Sequence, residues 1–476
     1  MSSQSLMAIL SSAFVGGMTL VSGAADLYWQ KDNSQRWAWN GDNAFWKVGN
    51  VGGDVSWNSQ GEPKTACFTA ATQLAIAGPI PTSVVVDSEG KVLIYHNNNW
   101  SWGNAFNGLT SLVKKGSGDF EISDSGNFAG GGITTRSDMV WDLQEGGFLL
   151  NISSSPVDNR DPKAFLGGST MRIAAGARFD AKVKSGVGLA DGLRPSVELN
   201  GGSLNLYGQY GKNYVNELAY NGGSVSLVMQ SWDSSTWGNG DLTIMGKLTV
   251  TGAVARTLSV SVDSKLATHG VCLNPGPVDQ TEICVEDVTG DVADDLTVSA
   301  SGAAYSTTNG FVKTGAGTAR LANRWNKFTG LVKIDEGTLI LDGGAQGQAP
   351  EVSVAAGAFL GGTGTVQAVT LAAGSGLAVA VGQAEPLKVT SAVALPANGV
   401  LNVTCEGEVS GFSRLNVVRS SSALTGDVSG WNILLNGNVT DKFRLQRDGN
   451  DLVVIPTYLY WQKDNSQRWA WNGDNA

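Results

Sequence analysis

Five carboxylates, Glu286, Asp287, Asp291, Asp294 and Asp295, fall close together and are the first candidates for chemistry. Such a run could hold a cation or supply the acid and base of sugar hydrolysis. Its spacing lacks the alternate-position oxygens and the distal Glu of a calcium loop, so a solvated loop is the simpler expectation and no metal site is assigned. Imidazole chemistry has little to work with, because the chain holds two His, His96 and His269, neither beside a Ser or Cys motif. The turn Gly361-Gly362-Thr363-Gly364 has the glycines of a phosphate loop, but no Lys-Ser/Thr pair follows. No catalytic residue and no cofactor are expected, and the chain reads as a non-enzyme.

The aromatic residues offer more. Trp29, Trp37, Trp39, Trp46, Trp57, Trp100 and Trp102 are interleaved with Asn and Gly over residues 26–108. Exposed Trp rings stack on sugars while Asn amides satisfy hydroxyls, so this stretch could bind a glycan. It could equally cap the end of a repetitive fold, whose last strands expose their edges. Leu27–Ala44, which carries Tyr28, Trp29, Trp37 and Trp39, recurs without one change as Leu459–Ala476, which carries Tyr460, Trp461, Trp469 and Trp471. Every other internal repeat has diverged. Three explanations stand: an assembly arm that docks on the open C-terminal end of a neighbour, the start of another unit in a tandem array, or a cloning scar. In the first, the arm alternates as a strand, with Tyr28, Gln30 and Asp32 on one face and Trp29, Lys31 and Asn33 on the other. Trp37 and Trp39 then share a face, and these two with Trp29 are the expected buried anchors.

Four cysteines, Cys67, Cys272, Cys284 and Cys405, are too few to frame a chain of 476 residues. Cys272 and Cys284 enclose Leu273-Asn274-Pro275-Gly276-Pro277, and a loop disulfide between them is the preferred pairing of the three possible. Cys67 and Cys405 lie in strand-like runs and read as small buried hydrophobes.

The elements that must position these residues are strands. With 63 Gly among 476 residues and no Gly-X-Y period, the composition excludes collagen and points to many tight turns. A net charge of −10 removes the basic footprint that a nucleic-acid binder needs. Hydrophobic residues at 42% against 16% charged can bury a core. Short alternating runs such as Ser203-Leu204-Asn205-Leu206 and Leu242-Thr243-Ile244 carry the period of two that makes the chain all-β. Leu199-Asn200-Gly201-Gly202-Ser203-Leu204-Asn205-Leu206 returns 21 residues later as Tyr220-Asn221-Gly222-Gly223-Ser224-Val225-Ser226-Leu227. A repeat of this length predicts a parallel β-solenoid, with glycine corners and Asn side chains laddering from coil to coil. The apolar stretch Leu6–Val21, followed by Ser22-Gly23-Ala24-Ala25, reads as a signal peptide over residues 1–24, cut after Ala24 or Ala25. No other stretch reaches the ~20 apolar residues of a membrane span.

A second echo carries a resemblance. Leu112-Val113-Lys114-Lys115-Gly116-Ser117-Gly118-Asp119-Phe120-Glu121-Ile122 matches Phe311-Val312-Lys313-Thr314-Gly315-Ala316-Gly317-Thr318-Ala319-Arg320-Leu321. The second copy runs on through Asn326, Phe328 and Gly330 to Gly337-Thr338-Leu339. This resembles the autotransporter-associated β-helix repeat, or passenger-associated transport repeat. The resemblance covers roughly residues 110–456 and implies a right-handed parallel β-helix exported to the bacterial surface or secreted. It brings no catalytic motif. No ~10-residue amphipathic strands of a membrane β-barrel follow Val454, so self-translocation is not expected. The expected organisation is therefore a signal peptide (1–24), a Trp-rich arm and cap (25–109), the β-helix (110–456) and the duplicate (457–476). The expected function is a structural subunit of a surface filament, with copies of itself as partner and head-to-tail docking of the arm. The alternative is a secreted glycan-binding adhesin or a polysaccharide-active enzyme, since parallel β-helices also carry that chemistry in clustered Asp, Lys or Arg.

Overall fold

The computed structural model describes residues 25–31, 37–39, 45–49, 64–76, 83–96, 108–124, 138–152, 168–183, 187–188, 194–208, 213–229, 242–261, 271–273, 280–299, 310–322, 330–342, 349–406 and 413–457. Among the described residues every regular element is a strand. Most pair in parallel, in two long ladders that successive strands join in turn. The first runs from Ala25–Trp29 through Lys64–Phe68, Ser83–Asp87, Ser111–Lys115 and Val140–Leu143 onward to Ala368–Leu371. The second runs from Trp37–Trp39 through Thr72–Ile76, Val92–His96, Phe120–Asp124 and Gly146–Ile152 to Asn432–Leu435. The molecule is thus all-β and mostly parallel, an arrangement compatible with a β-helix. The ladders run through residues 64–96, within the stretch expected to be the Trp-rich arm and cap. Residues 1–24 lie outside the described residues.

The 21-residue echo is stacked in register. Leu199 faces Tyr220, Ser203 faces Ser224 and Leu206 faces Leu227. The amide of Asn221 donates to Asn200 Oδ1 at 2.8 Å, and the two serine hydroxyls lie 3.1 Å apart. Thr251, one coil further on, bonds to Asn221 as well. Side chains alternate between an apolar interior and a polar exterior, as the period of two requires. Inside, Phe120, Phe148 and Phe179 occupy the same position of three successive coils with centroids 5.4 and 5.3 Å apart. Trp141 stacks on Phe148 at 5.0 Å. Outside, Arg178 bridges Asp119 and Asp180 across coils.

The second echo builds one device twice. Lys114 and Lys313 are fully buried. Lys114 Nζ donates to the carbonyls of Lys115, Gly116 and Glu145 at 2.5, 2.6 and 3.1 Å. Lys313 Nζ donates to the matching carbonyls of Thr314, Gly315 and Glu336 at 2.9, 2.7 and 3.1 Å. Each ammonium satisfies two carbonyls of its own corner and one from the next coil, so the buried charge is fully bonded. Burial pushes both amines down, Lys313 to about 8.

The C-terminal end is closed by antiparallel strands. Asn432–Leu435 turns back through Asn436-Gly437 onto Asn438–Val439, with φ of 49° and 79° at the two turn residues. Leu415–Ser420 is followed antiparallel by Asp451–Pro456, which pairs with Phe443–Asp448. The last strands at the end expected to receive an arm are therefore antiparallel ones. The Cys272–Cys284 bridge is also corrected. Cys272 pairs with Thr243 and Cys284 with Thr249, six positions apart along the strand Leu242–Val250. Even at ~3.3 Å per residue that separation exceeds the reach of a disulfide, and Cys284 is a free thiol. Cys405 is half-buried beside the Asn436 turn, its N–H donating to Asn436 Oδ1 at 2.8 Å.

Candidate assembly site

The Trp-rich segment forms the first coil of its own chain. Ala25–Trp29 lies parallel to Lys64–Phe68, with Leu27 opposite Ala66 and Tyr28 opposite Cys67. Trp46–Val48 flanks its other edge antiparallel, with Trp29 opposite Trp46. Alternation sends Leu27 and Trp29 inward and leaves Asp26 and Tyr28 half-exposed. The strand ends at Trp29, and Asp32 and Asn33, over which the alternation was expected to continue, lie outside the described residues.

Four aromatic rings close the end of the core. Trp29 meets Trp46 at 5.0 Å and Phe45 at 5.6 Å, both edge-on. Phe68, from the next coil, lies 6.1 Å from Trp29 and 5.8 Å from Trp46. Edge-to-face contacts of this kind add to the area they bury. The indole N–H of Trp29 donates to Thr72 Oγ1 at 2.8 Å, and Thr72 is fully buried on the second ladder. One ring thereby ties the two ladders together at the terminus. Lys31 Nζ sits 4.8 Å over the Phe45 ring on the outside. Cys67 is buried beside Asp26, and burial first, then that carboxylate, pushes its thiol up to about 12.

Trp37–Trp39 begins the second ladder, Trp37 opposite Leu74 and Trp39 opposite Ile76. The structure thus brings Tyr28 and Trp29, and the backbone of Trp37 and Trp39, onto one coil. Tyr460, Trp461, Trp469 and Trp471 lie outside the described residues. Trp46 and Phe68 are anchors that sequence reading did not single out. The signal was available: Phe45 and Trp46 are adjacent large aromatics, and Lys64–Phe68 opens the regular strands.

The carboxylate run is held by the fold. Asp287 accepts from the Gly290 N–H and Asp291 from the Ala293 N–H, each at 2.7 Å. Buried Asp295 accepts through Oδ1 from the Val288 N–H, the Thr289 N–H and the Thr289 hydroxyl. Its Oδ2 takes the Thr318 N–H at 2.7 Å. Asp294 pairs with Arg320, which also reaches Asp342. A shallow groove beside this pair runs past Thr318, Thr338, Asn402 and Thr404, and no aromatic ring lines it. These carboxylates cap turns and link coils. No protein-family model, curated protein or solved structure matches this chain.

Proposed function

We propose that the chain is a structural subunit of an exported bacterial surface filament, a right-handed parallel β-helix that assembles head to tail through the sequence of its first coil. The reading joins the passenger-type repeat and the leader-like N-terminus to one observation, which carries it. The only segment of the chain repeated without change is the one that closes the end of the ladders, with Leu27 and Trp29 buried and Trp29 bonded to Thr72. A ligand-binding Trp would present its ring to solvent, whereas this one is a joint between ladders. Stacked coils give stiffness, and a head-to-tail contact does not close, so it extends. Negative-stain electron microscopy of the full chain at rising concentration tests it. Filaments in multiples of one rod length are expected, and single rods up to millimolar concentration would count against it.

A further inference from the structure

The duplicated segment has a visible seat, and the seat exists on every copy of the chain. We propose that residues 459–476 of one chain occupy the edge formed by Lys64–Phe68 and Thr72–Ile76 of a second copy, replacing residues 27–44 there and joining tail to head. This rests on the filament reading and names its acceptor.

Identity of sequence makes the contacts transferable. Leu459 takes the place of Leu27 opposite Ala66, and Tyr460 that of Tyr28 opposite Cys67. Trp461 takes the place of Trp29, its indole N–H meeting Thr72 Oγ1 of the recipient. Trp469 and Trp471 follow Trp37 and Trp39 along Leu74 and Ile76. Phe45 and Trp46 lie outside the repeated stretch and belong to the recipient, where they still close over the incoming ring. Main-chain pairing to a sheet edge supplies affinity, and the indole at the buried Trp29 position supplies register.

Distance requires the exchange to be between chains. Twelve pairing steps separate Lys64–Phe68 from Ala368–Leu371. At about 4.8 Å each they amount to about 58 Å. Thr457 is fixed at the far end by bonds to Lys442 and Asp441, and the two residues from there to Leu459 span at most ~7 Å. The tail therefore cannot fold back onto its own first coil. The resident arm competes at an effective concentration of roughly millimolar, so exchange grows as chain concentration approaches that level.

The test places a thiol at the tail. In the full chain, Tyr460→Cys sets position 460 opposite Cys67 of the recipient, at a separation that suits a disulfide. Equal amounts of ordinary and nitrogen-15 chain are unfolded, refolded together at high concentration and oxidised with copper phenanthroline. Peptide mapping is expected to find the 460–67 bond, about half of it between light and heavy chains, in a yield that rises with concentration. The control Tyr28→Cys is expected to give a 28–67 bond within one chain. A photoreactive benzoylphenylalanine at position 460 reads the same contact without a thiol. Oligomers that lack any 460–67 contact by either chemistry would overturn this seat and leave the filament reading standing. Monomers at every concentration would overturn both.

Discussion

Lys114 and Lys313 place an ammonium inside an apolar coil, which costs free energy unless the charge is fully bonded. Three carbonyls meet that demand at each site. Replacing Lys313 by Met leaves those acceptors without a donor, and a loss of about 3 kcal/mol in chemical denaturation is expected. Its pH dependence has a definite sign. Burial lowers the folded amine to about 8 from the ordinary 10.5, so between these values the unfolded chain binds more protons. Stability of the wild type relative to Lys313→Met therefore rises with pH through that window, and parallel urea titrations at pH 7.5 and 10 measure it. The repetition of Lys-x-Gly-x-Gly was legible in the sequence, but its purpose was not. The third carbonyl comes from Glu145 in one copy and Glu336 in the other, a coil away, and only pairing of the coils brings it into reach.

At the scale of elements, the corner after Glu336 is as demanding as the lysine it bonds. Gly337 has φ +67°, and a Cβ there would lie 2.4 Å from the Gly315 carbonyl oxygen. Gly337→Ala is expected to lower the unfolding free energy by about 1–3 kcal/mol from the dihedral alone, read by thermal denaturation. The two copies of the terminal strand allow a sharper comparison. Trp29→Ala weakens the resident first coil and is expected to increase exchange, whereas Trp461→Ala changes only the tail and is expected to abolish it. Sedimentation velocity on the two full-length variants separates them, because a merely local loss of packing would not move them in opposite directions. The elements were legible where a coil is short and its residues repeat, as at Leu199 and Tyr220. They were hidden where coil length drifts. Val352 faces Val369 after 17 residues while Leu248 faces Ile283 after 35, so no fixed period connects them.

The whole molecule has two unlike ends. One is sealed by Trp29, Trp46, Phe45 and Phe68, the other by antiparallel strands around Asn436-Gly437 and Asp451–Pro456. The second closure was within reach of the sequence, since Asn-Gly between apolar runs is a hairpin signal. The acceptor we propose is the first coil, where the described residues of the identical segment pair with Lys64–Phe68 and Thr72–Ile76. The most direct measurement is sedimentation velocity of the full chain beside a chain ending at Thr457, each from micromolar to near-millimolar concentration. The full chain is expected to lengthen in steps of one subunit while the shorter chain stays monomeric. Equal behaviour of the two, whether both single or both polymerised, would contradict a joint made by residues 459–476.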